Sequence, residues 1–401
     1  MANPSNNDAG DEREPFPWHL GVFDAHCHPT DTMDSIASIS EMQAKVLTVM
    51  TTRAEDQELV ARTAKDLGVK VEDAELPPEQ WKDRPPRIVP CFGWHPWFSH
   101  QMFDGDEYNG AEKLDDNQKV EHYRSVLIPP SEDHGFLTSL PDPRLFGDFL
   151  AQTRRFLEQH SLALVGEVGL DKSFRIPQAW LPESKESRDA SLTPGGREGR
   201  RLSPYRVHMD HQRKVLKAQL RLAGELKRAV SVHSVQTPGI VYEVLQELWK
   251  GHEKQVLSKR ERKRLQQDKA RNAEEPDSAF QSGSQDAEPK PYPPRICLHS
   301  YSGPVEALQQ FLAPSVPAEI YFSFSTAINF SSGPASKAED TIRAVPDEFI
   351  LVESDLHIAG HRMDQHLEDI VRLICRLKNW SLEDGVKTLG RNWKRFVFGR
   401  S

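Results

Sequence analysis

The feature that most constrains this chain is a repetition of short apolar runs, most of them followed by a stretch with helical spacing. The runs are Gly21–Ala25, Lys45–Met50, Arg87–Gly93, Ala163–Val168, Ala229–His233, Arg295–His299, Glu319–Phe324 and Glu348–Glu353. Most lack the strict apolar-polar alternation of a half-exposed strand, and such runs suit parallel strands covered on both faces. Between them, Leu59, Val60, Thr63, Ala64 and Leu67 mark one face of a helix over Glu55–Leu67, and Leu145–Gln159 and Tyr205–Leu226 read the same way. Eight strands alternating with helices predict an α/β fold, a (β/α)8 barrel of the TIM type. A doubly wound open sheet is the alternative. No G-x-G-x-x-G or G-x-x-x-x-G-K-[ST] loop follows any strand, so the nucleotide sites common in that second fold find no support.

At 401 residues the chain can form one large domain, here expected to span residues 18–401 after a disordered tail at 1–17. Hydrophobic content of 37% is low for such a domain. Polar segments at about 104–143, 172–203 and 251–294 account for the dilution and read as insertions, the first irregular, the last charged and partly disordered. A net charge of -9 leaves no global basic footprint, so contact with nucleic acid must come from a local patch or from bound metal. The run Lys259-Arg260-Glu261-Arg262-Lys263-Arg264 is such a patch, a nuclear localisation signal, or a solvated helix face. Cys27, Cys91, Cys297 and Cys375 lie far apart with no C-x-x-C pair, which suits reduced thiols in an intracellular protein. No apolar run approaches the roughly 20 residues of a membrane span. Met1–Glu14 is polar and acidic, unlike a signal peptide. A cytoplasmic or nuclear location is expected.

In a barrel of this kind the functional groups gather at the C-terminal ends of the strands. Those positions hold His26 and His28, His95, Glu167, His233, His299 and Asp355. Each alone is explained as a core histidine, a salt-bridge partner or a helix cap. Seven at equivalent strand ends form a constellation of metal-ligand and proton-transfer groups. Side chains two apart on a strand share a face, so His26 and His28 point together and Cys27 points away. Four histidines and two carboxylates suffice for two divalent ions, with Glu167 as the shared ligand. Nitrogen and oxygen donors without thiolate suit Zn²⁺, Mn²⁺ or Mg²⁺. The expected nucleophile is a metal-bound hydroxide, with Asp355 holding it or taking its proton.

The order FDAHCHP, GWHPW, LVGEVGLD, VSVHS, HSYSG and LVESD resembles the TatD family of metal-dependent hydrolases over about Gly21–Phe398, with the insertions unmatched. The resemblance implies a (β/α)8 barrel and a deoxyribonuclease acting on DNA 3′ ends. It implies that His26, His28 and Asp355 hold one metal, that Glu167 bridges, that His233 and His299 complete the second site, and that His95 lies near the substrate phosphate. The sequence departs from many members where Leu356-His357 follows Asp355 and where Tyr301 stands for Phe. The insertions resemble those of fungal members described as partners of a subunit of the anaphase-promoting complex, which implies a possible scaffold role. Trp94, Trp97 and Phe98 flank His95, where they either stack a base or cap the barrel mouth. The reading is a metal-dependent phosphodiesterase of the deoxyribonuclease type. The alternatives are an amidohydrolase acting on a C–N bond and a catalytically weak scaffold.

Overall fold

The computed structural model describes residues 14–180, 188–256, 261, 290–331 and 334–399. Eight parallel strands follow one another around a single sheet in chain order: β1 (Phe23–Cys27), β2 (Val46–Met50), β3 (Arg87–Phe92), β4 (Leu164–Asp171), β5 (Val230–Val235), β6 (Arg295–Leu298), β7 (Glu319–Phe324) and β8 (Ile350–Val352). The order never reverses, which rules out the doubly wound alternative. Just past the strand ends, the Asp355 amide donates to the His26 carbonyl at 3.0 Å and the His28 amide to the Leu356 carbonyl at 2.9 Å. These bonds join β8 to β1 and close the barrel.

The main helices are α1 (Ala54–Leu67), α2 (Asp116–Val126), α3 (Phe146–Gln159), α4 (Met209–Glu225), α5 (Pro238–Trp249), α6 (Val305–Phe311), α7 (Ala335–Ala344), α8 (His361–Lys378) and α9 (Leu382–Phe398). All but α2 and α9 belong to the strand-helix alternation. The strands bury both faces in two apolar layers. Leu47, Val49, Val232 and Phe322 pack outward with Leu220, Val244 and Ile370 of the helices. Phe23, Met50, Cys91, Cys297, Tyr321 and Leu351 pack in a second cluster with Trp393 and Phe396 of α9. Trp393 stacks on Phe23 at 4.6 Å and donates its indole N–H to Thr48 Oγ1 at 3.0 Å. The C-terminal helix thus stoppers the end of the barrel opposite the catalytic-type residues. All four cysteines are buried and unpaired.

Three expectations differ from the structure. The first insertion is not irregular. It contains α2, opened by a capping box between Asp115 and Gln118, and a short helix over His134–Ser139. These bury Val120, Tyr123, Phe136 and Leu137 against Ile176 of the second insertion and Val207 just after it. α4 begins at Met209 rather than Tyr205, because Arg206–Val207 pairs antiparallel with Leu127–Ile128. The last residues of the expected tail are also placed: Arg372 donates to the Glu14 carbonyl at 2.7 Å and lies over the Phe16 ring. The earlier tail, the basic run apart from Glu261, and most of the third insertion lie outside the described residues.

Candidate metal centre

Glu167 is the hub. Its Oε2 lies 3.3 Å from His26 Nε2 and 3.2 Å from His28 Nε2, and the two imidazole nitrogens are 3.1 Å apart. Asp355 Oδ1 approaches the same pair at 3.8 and 3.6 Å. Glu167 Oε1 lies 2.7 Å from His299 Nε2, 2.8 Å from His233 Nδ1 and 3.0 Å from His95 Nε2. The His299 ring also stacks on His26 at 3.8 Å, so it adjoins both groups. All seven expected residues therefore converge, from six different strands.

Local backbone makes this convergence possible. Register shifts in β1 between Asp24 and Cys27, and in β4 between Val165 and Val168, turn the last residues of both strands toward the axis. At Gly169 a Cβ would sit 2.0 Å from the His233 carbonyl oxygen, so only glycine lets β4 and β5 approach this closely. Ser300 and Asp355 adopt left-handed φ angles of 41° and 53°. Each costs on the order of 1 kcal/mol. The Ser300 amide donates to Glu353 Oε1 at 2.8 Å, which helps hold that turn in place as the Asp355 bond to His26 holds the other.

A second layer of groups points the imidazoles. Asp171 Oδ2 lies 3.0 Å from His233 Nε2 and accepts the Trp97 indole N–H at 2.6 Å. With Nε2 protonated toward Asp171, Nδ1 of His233 presents its lone pair to the centre. His26 Nδ1 pairs with Ser231 Oγ at 2.8 Å, leaving Nε2 inward. His299 Nδ1 faces Glu353 Oε1 at 3.6 Å, and Glu353 is itself bonded by the hydroxyls of Ser300 and Ser323. Asp171 and Glu353 were not foreseen. The signal was available, because Asp171 stands four residues after Glu167 and Glu353 two before Asp355, spacings that return to one strand face. His95 behaves differently. Its Nδ1 accepts the Trp97 amide at 3.2 Å, so in the neutral ring the proton sits on Nε2 and points at Glu167. That makes His95 a donor rather than a lone-pair ligand, although its atoms meet the distance test for one.

The donor set fits divalent ions. Two ligand atoms each about 2.1 Å from one ion, at tetrahedral or octahedral angles, lie about 3.0 to 3.4 Å apart. The His26, His28 and Glu167 Oε2 distances fall in this range. Two lone-pair nitrogens pointing at one spot need a cation or a shared proton between them. Burial opposes ionisation of Glu167, yet His95, His299 and His26 hold its carboxyl well below the usual range. The His28 ring, despite burial, is raised to about 9 by the bond and charge of Glu167. Burial and the neighbouring His299 push His26 down to about 3. Glu167 is thus a buried anion that gathers positive charge around it, and divalent ions would meet the same demand.

The centre opens into a cavity of about 490 Å³. Trp97 and Phe174 stack at 4.4 Å along one wall. Trp94 is not there. It is buried against Phe149 with its N–H bonded to the Phe98 carbonyl, so of the three aromatics flanking His95 only Trp97 and Phe98 line the cavity. The second insertion forms a roof through Leu192, Thr193, Gly196 and Glu198. Arg53, 3% exposed, pins it: Nε donates to Pro194 O at 2.7 Å and Nη2 to Thr193 O at 3.0 Å, while Nη1 holds Asp31 at 3.0 Å.

A family profile described as "TatD related DNase" matches residues 23–398. The chain belongs to this family of hydrolases. The Cut9-interacting protein scn1 of Schizosaccharomyces pombe is 37% identical over 94% of this chain and 98% of its own. A Saccharomyces cerevisiae protein described as an uncharacterized deoxyribonuclease is 26% identical over 67% of this chain and 66% of its own. A solved TatD homologue from Escherichia coli covers 96% of this chain and 100% of its own at 16% identity and a TM-score of 0.48. For this TatD-family protein, buried His, Glu and Asp clusters at the barrel mouth are compatible with divalent metal. Among the described residues no helix is long and apolar enough to cross a membrane.

Proposed function

We propose that this protein is a divalent-metal-dependent phosphodiesterase that removes nucleotides from DNA 3′ ends. The observation that carries the reading is the division of Glu167: one oxygen faces His26 and His28, the other faces His233 and His299. Such a carboxylate would be the ligand common to two divalent ions. His26, His28 and Asp355 would hold the first, and His233 and His299 the second. When bound, a pair of divalent ions supplies an activated water and charge stabilisation on the phosphoryl oxygens. The chain's own groups do the rest. His95 offers its Nε2 proton to a phosphate oxygen once Glu167 is engaged elsewhere. Asp355, partly exposed, is placed to orient the attacking water and accept its proton. Trp97 and Phe174 give a terminal base an aromatic wall. Zn²⁺, Mn²⁺ and Mg²⁺ all suit this donor set, and a cytoplasmic or nuclear location suits the substrate and the reduced cysteines.

The name of the budding-yeast relative, a deoxyribonuclease, supports the substrate class. An amidohydrolase built on a carboxylated lysine is less well supported, since no Lys is among the described residues lining the cavity. A scaffold role draws support from the fission-yeast relative, named for its interaction with Cut9. The deciding experiment pairs elemental analysis of the purified protein with hydrolysis of 3′-labelled single-stranded DNA under added Mg²⁺, Mn²⁺ or Zn²⁺. About two metals per chain and cleavage abolished in His26→Ala and Glu167→Ala are expected. Bound metal with no cleavage of any nucleotide ester would overturn the reading. A partner captured equally by both variants would favour the scaffold.

A further inference from the structure

Beside the metal cavity lies a second one of about 400 Å³, and the two share Trp97, Phe98, Pro177 and Glu198 as common walls. This annex sits between the two insertions, with Leu140 and Pro141 of the first on one side and Trp180 and Arg200 of the second on the other. Its chemistry differs from that of the centre. Trp180 is half-buried and lies 5.4 Å beneath the Arg200 guanidinium. Arg200 donates to the carbonyls of Arg197, Gln178 and Gly196, and no carboxylate among the described residues bonds it. Glu198, which shares the annex wall, is engaged by Arg188 and by the Gly195 amide. Arg200 is therefore a fixed cation held by neutral acceptors. By contrast, Arg53 in the main cavity is saturated by Asp31, Asp56, Thr52 and two carbonyls.

A cation over an indole, next to a site proposed to hold a phosphodiester, is the pairing that binds a nucleotide unit, base on the ring and phosphate on the charge. We propose that the annex is a binding subsite for the nucleotide adjacent to the scissile phosphate, with Trp180 stacking its base and Arg200 contacting its phosphate. The inference rests on the phosphodiesterase reading for the identity of the ligand. It assigns a role to the insertions, since neither the barrel strands nor the metal ligands line the annex. It also explains how an acidic protein grips a strand: a few fixed groups in a walled channel replace a broad basic surface.

The test compares a 5′-phosphorylated thymidine dinucleotide, whose first nucleotide carries its own phosphate, with the p-nitrophenyl ester of thymidine 5′-phosphate, in the full chain and in Trp180→Ala and Arg200→Gln. In each variant, KM for the dinucleotide should rise about 10-fold with kcat little changed, while KM for the single-nucleotide ester stays as in the parent. Calorimetric binding of the dinucleotide to chelator-treated protein reads the annex without turnover, and there both variants should weaken binding by a similar factor. Equal effects on the two esters, or dinucleotide binding that is absent or indifferent to both substitutions, would overturn the subsite. Binding that depends on Trp180 with no hydrolysis under any metal would instead sink the phosphodiesterase reading and leave the annex standing.

Discussion

Asp171 shows how much one unforeseen carboxylate decides. It is not itself one of the expected metal positions, yet it fixes which nitrogen of His233 faces Glu167 and which way the Trp97 indole turns. Replacing it by Asn keeps the size and removes the charge that selects the tautomer. Loss of such an orienting partner lowers metal affinity by roughly 10- to 100-fold. Asp171→Asn should therefore bind metal at the second position more weakly by about that factor, read by competition with a chromogenic chelator, while its thermal midpoint in chelator stays within a few degrees of the parent. Unchanged affinity would mean that Glu167 alone orients His233. His95 was expected near the substrate phosphate, and its bond from the Trp97 amide supplies a physical reason for a donor role there.

At the scale of elements, the insertions brace the mouth. α2 sends His122 to the His100 carbonyl at 2.8 Å, and α4 sends His211 to the Ser99 carbonyl at 2.8 Å, so both grip the turn that carries Trp97 and Phe98. Burial pushes His100 down to about 3 and His122 to about 4. Both rings are thus neutral when folded, whereas the unfolded chain protonates them near 6.5. The unfolded state then binds more protons between about pH 4 and 6.5, so their contribution to stability is complete above 6.5 and is lost as pH falls. The two together should cost roughly 2 kcal/mol between pH 7 and 5.5. Urea unfolding at both pH values checks this, and His122→Gln should flatten the dependence. An unchanged slope in that variant would place the acid sensitivity elsewhere.

The roof depends on Arg53 in the same way. Arg53→Lys keeps a cation beside Asp31 and Asp56 but loses the planar fork that reaches Thr193 and Pro194. Limited trypsin cleavage at Arg197, Arg200 or Arg201 should accelerate on the order of 10-fold, since the lost bonds lower the local opening energy by about 1 to 2 kcal/mol. A cleavage rate equal to the parent's would show that the strand-like bridge between Thr32 and Leu192 holds the roof by itself.

The whole molecule is a barrel with two unlike ends. One carries the buried charges, and the other is stoppered by α9, where Trp393 is 2% exposed. Trp393→Ala removes the stacked ring and the Thr48 bond and should cost about 3 to 5 kcal/mol. Excising residues 262–288 should cost little, because halving a loop changes closure by only about 0.6 kcal/mol, and Lys254 stays tied to Ser315. Denaturant midpoints for the two variants should fall far apart. Similar losses would mean that the third insertion contributes packing of its own.

Much of this was legible in the chain. Strand count, barrel class and the seven converging residues follow from local rules: a dry strand reads as a continuous apolar run, and a strand end places its side chains predictably. What local rules could not reach was decided by contacts between distant segments. Trp94 and Trp97 look alike in sequence, and only packing against Phe149 sends one into the core while the Asp171 bond holds the other at the cavity. The first insertion looked irregular because its apolar residues are few and find partners, Ile176 and Val207, some forty to ninety residues away. The types and order of the converging groups are a property of the sequence, because each is set by its own strand. Which nitrogen faces Glu167, how wide the mouth opens and what roofs it are properties of the tertiary structure, because each depends on a hydrogen bond across the fold.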